Sequence, residues 1–178
     1  MKNLPLLLLF LLLLPATAAG QRAAPLPRPI RAALDQEFPG WRFSEVSAGV
    51  REFFRESLPG ARPNLVTGDF DGDGRADYAL LIEHSNFDQP GAGFSHVVER
   101  LVFLRRGAGY RMHRLEQDSP ANPDLYLTLA RRGRQGFDFK AERKYRYPND
   151  SISVWYFEKA GGTYIYQRGR FRYVTEAD

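Results

Sequence analysis

The chain has 178 residues, of which 43% are hydrophobic, and its formal net charge is +4. It contains no cysteine, which excludes a disulfide framework and a cysteine nucleophile. The length predicts about one domain, with enough chain to bury a hydrophobic core.

Residues 1–20 have the layout of a secretory signal peptide. Lys2 supplies the positive n-region, residues 6–14 form an unbroken apolar run, and residues 16–19 offer small-residue cleavage positions. The run is shorter than the roughly 20 apolar residues that span a bilayer, and no cysteine follows it to carry a lipid anchor. We therefore expect a periplasmic or secreted protein with a flexible leader at 21–28 and no membrane span after signal removal.

Two amphipathic helices are predicted next. Pro29 suits the first turn of a helix, apolar residues recur at helical spacing from Ile30 to Phe38, and the pair at 39–40, Pro-Gly, ends it. Ser44 is the predicted N-cap of the second helix, which ends at the second Pro-Gly pair, residues 59–60. The apolar stripe of this second helix comprises Val46, Val50, Phe53, Phe54 and Leu58.

From residue 64 onward the hydrophobic period changes to two, which predicts strands. The predicted strands cover residues 64–70, 76–83, 96–106, 110–116, 125–131, 152–158, 163–167 and 171–175. Short turns between consecutive strands favour an antiparallel meander. The expected fold is thus a single α+β domain over residues 29–178, with two N-terminal helices packed on a mostly antiparallel sheet. Residues 132–150 are polar and give no clear pattern.

The segment DFDGDGRAD at 69–77 lies between two predicted strands and has the ligand spacing of an EF-hand-like calcium loop. Carboxylates occupy loop positions 1, 3, 5 and 9, and a glycine at position 6 allows the sharp bend. Two such carboxylates ~5 Å apart repel by about 3 kcal/mol at an effective dielectric of ~20, and a divalent ion removes that penalty. The predicted Ca²⁺ ligands are Asp69, Asp71, Asp73, the carbonyl of Arg75, and Asp77.

An EF-hand also needs a glutamate at loop position 12 and a helix on each side. Position 12 here is Leu80, inside a predicted strand. The helix-opening switch is therefore not expected, and we predict a structural calcium site. Magnesium is disfavoured because it dehydrates reluctantly and is seldom held by an all-protein cage.

The stretch NLVTGDFDGDGRADYALLI at 64–82 resembles one unit of the FG-GAP or VCBS repeat of integrin-type propellers and exported bacterial proteins. Those repeats carry a D-x-D-x-D-G-x-x-D calcium loop between two strands. No second copy is found, and a propeller needs several blades. The resemblance implies a small exported calcium-binding protein.

Function is predicted less directly than metal binding. The three histidines lack zinc-enzyme spacing, and no serine lies in a nucleophile elbow. We predict a non-catalytic binding module whose partner is a protein or an anionic envelope polymer, not a nucleic acid. The sequence leaves the oligomeric state open. The alternative is a metal-dependent or carboxylate-dependent hydrolase of the cell envelope that uses the acidic loop or the pair Glu83 and Asp88.

Overall fold

The computed structural model describes residues 26–85, 96–118 and 121–177, so the predicted signal peptide and most of the leader lie outside the described part. No helix in these three ranges is long and apolar enough to cross a membrane. The two helices of these ranges are α1 (Arg28–Glu37) and α2 (Ala48–Ser57). Their strands are β1 (Arg42–Phe43), β2 (Leu65–Gly68), β3 (Asp77–Ser85), β4 (His96–Arg106), β5 (Gly109–Asp118), β6 (Leu125–Ala130), β7 (Gln135–Asp138), β8 (Arg143–Arg146), β9 (Ser151–Tyr156), β10 (Gly161–Gln167) and β11 (Arg170–Ala177).

The strands form two main antiparallel sheets. In the five-stranded sheet, β1 and β2 both pair with β3, which is followed by β4 and β5. The four-stranded sheet has the order β11, β10, β9, β6. The pairing of β6 with β9 skips the hairpin β7–β8, which forms a two-stranded sheet of its own. The prediction of mostly antiparallel pairing is confirmed, but the strands do not continue as one meander.

The two main sheets pack face to face around the largest hydrophobic core. Alternation along β3 sends Ala79 and Leu81 to the side that faces the other sheet. Across the core, the four-stranded sheet contributes Leu125, Leu127, Ile152 and Val154, all of which are buried. Phe70, the apolar residue within the acidic loop, is also buried in this core, so the core fixes the start of the loop.

The two helices do not pack together on one sheet, and the predicted α+β class is wrong. In α1, Ile30 and Leu34 pack on the outer face of the five-stranded sheet, whereas in α2 Phe54 packs beside Tyr126 of the other sheet and Phe157, which follows β9. Strands account for 51% of the structure and helices for 14%. The fold is therefore largely β, because both helices are only ten residues long and the polar region at 132–150 adds two more strands.

The second helix also begins later than predicted. Its N-cap is Ser47, whose hydroxyl accepts from the backbone N–H of Val50. Ser44 instead donates its backbone N–H to the carbonyl of Leu81 and is buried beside β3. Pairing of the preceding residues with β3 thus overrides the local capping signal of Ser44.

The carboxylate of Glu176 helps to attach the hairpin β7–β8 to the four-stranded sheet. Glu176 of β11 accepts hydrogen bonds from the hydroxyls of Tyr145, at 2.7 Å, and of Tyr147. Its other oxygen accepts from Thr163 at 2.6 Å, and that hydroxyl also contacts Ser153. Three hydroxyls from distant segments therefore converge on a single side chain.

Candidate metal centre

The acidic loop connects β2 to β3 along the edge of the five-stranded sheet. Gly72 and Gly74 have φ angles of 79° and 82°, the left-handed conformation that glycine adopts without steric cost. A Cβ on Gly72 would lie 2.5 Å from Oδ1 of Asn149, so this glycine is also required by close packing. The two glycines fold the loop back on itself and turn its carboxylates toward each other.

Three of the predicted ligands come together. Asp69, Asp71 and Asp77 each offer a carboxylate oxygen, and these oxygens lie within 4.8 Å of one another. Asp77 is fully buried and the Asp71 side chain is 6% exposed. Because oxygens at this separation can all contact one cation, the cluster could hold a metal ion.

Asp73 and Arg75 contact each other instead. The backbone N–H of Arg75 donates to Asp73 at 2.9 Å, and its guanidinium donates to the same carboxylate at 2.6 and 3.0 Å. These hydrogen bonds lower the pKa of Asp73. A ligand role for the Asp73 carboxylate and the Arg75 carbonyl stays a prediction.

Asp69 has one oxygen that lacks a hydrogen-bond partner. Its Oδ2 accepts from the backbone N–H of Gly74 at 3.0 Å. Its Oδ1 is buried and accepts no hydrogen bond from any described residue. An unsatisfied buried carboxylate oxygen costs about 1–3 kcal/mol or more, and coordination to a cation would remove that cost.

Asp77 is held by two backbone donors and is strongly desolvated. Its Oδ2 accepts from Phe70 at 2.9 Å and its Oδ1 from Arg105 at 2.7 Å. Burial raises the pKa of Asp77 to about 6, while these two hydrogen bonds act in the opposite direction and the Asp71 and Asp73 charges raise the pKa further. Each carboxylate oxygen keeps a second lone pair, so both can still contact a cation.

Arg106 is the positive charge closest to the cluster in the described contacts. Its guanidinium donates to Asp71 and lies 3.6 Å from the Asp73 carboxylate. Its side chain is 41% exposed, so it can move into solvent at little cost. Arg106 therefore resembles a counter-ion of Asp71, which a metal cation that binds the cluster more tightly could displace.

A second loop, just before β9, supports the acidic loop from the other sheet. Asn149 donates to the carbonyl of Phe70 at 3.3 Å, and Asp150 accepts from the backbone N–H of Asp69 at 3.4 Å. Asp150 also accepts from the backbone N–H of Arg132 and from the Arg131 guanidinium. Sequence reasoning missed these residues because they lie about 80 positions away, and only the turn-forming segment Pro-Asn-Asp at 148–150 marks them.

Of the residue pair in the hydrolase alternative, the structure describes Glu83 alone. Glu83 is buried and pairs with Arg42 at 3.1 Å, a contact typical of a structural carboxylate. Asp88 lies outside the described residues. His84 lies 3.4 Å from the buried Glu99, and His113 packs against the rings of Tyr166 and Phe171.

A cavity of about 590 Å³ lies between α2 and the edge strands β2 and β6. Phe54, Leu65 and Leu127 are among its apolar walls, and Arg62 and Arg131 are its charged residues. The described residues that line it include no carboxylate, histidine, serine or cysteine. Its hydroxyl groups are those of Thr67, Tyr78 and Thr128.

Comparison of the chain with protein-family models, with curated proteins and with solved structures finds no match in any of the three. The resemblance of residues 64–82 to a single FG-GAP or VCBS unit consequently stays a prediction from the loop sequence.

Proposed function

We propose that this chain is an exported calcium-binding protein that acts as a non-catalytic binding module. The observation that carries the proposal is the convergence of Asp69, Asp71 and Asp77, whose carboxylate oxygens lie within 4.8 Å of one another. The unpartnered Oδ1 of Asp69 at the same place supports it. The apolar run at residues 6–14 supports export.

Calcium suits this donor set better than a transition metal. Every side chain of the cluster offers only oxygen, and Ca²⁺ takes six to eight oxygen ligands in a flexible geometry. Asp73, the Arg75 carbonyl and water would complete its shell. Magnesium demands a near-ideal octahedron and retains its water, which this short and irregular loop would satisfy poorly.

The bound ion would act mainly on stability. It would coordinate the unpartnered Oδ1 of Asp69, neutralise the desolvated charge of Asp77 and displace Arg106 from Asp71. At a free calcium concentration of about 100 times Kd, binding to the folded state alone adds about 2.7 kcal/mol. For a domain of this size each kcal/mol raises Tm by about 2–4 °C, so the expected shift is several degrees.

Titration calorimetry and thermal unfolding of the mature chain test the proposal together. The wild type should release or absorb heat with Ca²⁺ and gain several degrees in Tm, while Mg²⁺ gives neither. The variant Asp69→Asn keeps an acceptor for the Gly74 N–H but loses the charge, so its calcium affinity should fall at least tenfold.

Asp35→Asn is the matched control because it removes the same charge from an exposed position on α1, where the amide oxygen can still accept from Trp41. Its affinity should equal that of the wild type. Absence of both heat and Tm shift at millimolar Ca²⁺ would refute the calcium site, and equal losses in the two variants would refute the assignment to this loop.

A further inference from the structure

The hairpin β7–β8 presents an exposed apolar pair. Phe137 and Phe139 are 41% and 49% exposed, and in the described part of the chain Tyr173 is the one other large hydrophobic residue with comparable exposure. Phe137 lies in β7 and Phe139 follows in the turn toward β8, so both exposed rings lie near the tip of the hairpin. Single exposed apolar residues are common, but two exposed phenylalanines this close in the chain indicate an interaction surface.

Cations surround this pair. Residues 131–146 contain seven basic and two acidic residues. Lys144 lies directly opposite Phe137 in the register of the two strands, and Lys140 follows Phe139 in the chain. Within the described ranges, the ion pairs leave six of these cations without a carboxylate partner, since Arg131 alone pairs with one, Asp150. The six are Arg132, Arg134, Lys140, Arg143, Lys144 and Arg146, of which Arg146 donates to the carbonyl of Gly133.

The opposite face of the hairpin is fixed to the body of the protein. Asp138 is buried and accepts from the backbone N–H of Ala141 across the turn, and Tyr145 donates to Glu176. The backbone N–H of Phe139 also donates to the carbonyl of Thr175 in β11 at 2.9 Å. The backbone that carries the exposed phenylalanines and lysines is therefore held in place before any partner arrives, which lowers the entropy lost on binding.

We propose that the tip of this hairpin, with its exposed residues Phe137, Phe139, Lys140 and Lys144, docks on the surface of a bilayer that contains anionic phospholipid. Phenyl rings bury favourably at the boundary between headgroups and acyl chains, and flexible lysine stems let the ammonium groups reach the phosphates. The unpaired cations match the negative surface potential of such a bilayer. A hydrophilic polyanion would use the cations but gives no apolar phase for two rings that lack any hydrogen-bonding atom.

Vesicle co-sedimentation with the mature chain tests this inference. The probes are vesicles of equal parts phosphatidylglycerol and phosphatidylcholine, and vesicles of phosphatidylcholine alone. All assays contain EDTA, because Ca²⁺ bridges protein carboxylates to lipid phosphates; the result is then independent of the calcium proposal. The wild type should bind the anionic vesicles, and binding should fall steeply at ~1 M salt, where the Debye length is about 3 Å.

Two hairpin variants separate the apolar from the electrostatic contribution. Phe137→Ala combined with Phe139→Ala should weaken vesicle binding at least tenfold. Lys140→Gln combined with Lys144→Gln should weaken it about 25-fold, because each basic residue near an anionic surface contributes about a fivefold factor. All four positions are exposed, so Tm should stay within about 2 °C of the wild type.

The matched control is Arg28→Gln combined with Arg31→Gln, which removes the same charge from exposed positions of α1. Its vesicle affinity should change less than threefold. Three results would overturn the inference: equal losses in the control and the lysine variant, unchanged binding of the phenylalanine variant, or tighter binding of the wild type to soluble single-stranded DNA or heparin than to the anionic vesicles.

Discussion

The ionisation of Asp77 should make stability depend on pH without calcium and much less so with calcium. Asp77 is fully buried, and its pKa of about 6 in the folded protein exceeds the ordinary aspartate value of about 3.9 in an unfolded chain. The folded state therefore binds a proton at this site that the unfolded state has already lost. The free energy of unfolding therefore falls as the pH rises from about 3.9 to about 6, and above about 6 the ionised, buried carboxylate destabilises the folded state fully.

The magnitude follows from the difference between the two pKa values. A shift of about 2 units corresponds to about 3 kcal/mol at 1.36 kcal/mol per unit. In EDTA, protonation of Asp77 should thus add up to about 3 kcal/mol as the pH falls from about 7.5 to about 4, and this gain is lost as the pH rises through about 6. Saturating Ca²⁺ binds the ionised form, so calcium stabilisation should be largest above pH 6 and should fade below it.

Urea unfolding at several pH values, in EDTA and in Ca²⁺, measures this difference. Asp77→Asn is the reference because its amide does not titrate, although it starts less stable since its NH₂ faces a backbone N–H. Subtracting its pH profile removes the contributions of the histidines and of the other carboxylates. Identical pH slopes for the wild type and Asp77→Asn in EDTA would refute the reasoning.

Two further predictions concern the loop around the cluster. Arg106→Gln removes the cation that contacts Asp71, so urea unfolding of the calcium-free protein should show a loss of up to about 1 kcal/mol. Calorimetry should show several-fold tighter calcium binding, because no guanidinium has to be displaced. Unchanged calcium affinity would contradict a counter-ion role. Gly72→Ala should cost more stability than Gly74→Ala, because both glycines have φ near 80° but only the Cβ at 72 meets Asn149, at 2.5 Å. We expect about 1–2 kcal/mol for strain alone and a larger loss at 72, and equal Tm losses would show that the Asn149 contact has no effect.

Local patterns predicted those parts of the fold that depend on neighbours in the chain. The apolar stripes that contain Ile30 and Phe54 predicted both helices, because an amphipathic helix buries one face whichever element it packs against. The capping signal at Ser44 failed because β3 takes up that part of the chain. The strands β7 and β8 have no apolar alternation, and their stability depends on contacts such as Tyr145 with Glu176, which no local pattern reveals.

The candidate site likewise combines local contacts, which the sequence predicts, with long-range contacts, which it does not. Spacing predicted four aspartates as ligands, and three of them, Asp69, Asp71 and Asp77, do come together because a tight loop brings its own side chains close. Spacing did not reveal that Asp73 pairs with Arg75. The supports at Asn149 and Asp150 come from the other sheet, and their approach depends on how the two sheets pack, which no local pattern reveals.

The convergence of hydroxyls on Glu176 has a consequence for the order in which the protein matures. Synthesis proceeds from the N-terminus, and domains fold as their segments become available. Tyr145 precedes its acceptor by 31 positions, so the arm that bears the exposed phenyl rings lacks its hydrogen bonds to Glu176 and Thr175 until the last strand has been made and has paired. Attachment of that arm is then a late event in biogenesis, and a nascent chain stalled before residue 176 should leave it unusually sensitive to protease.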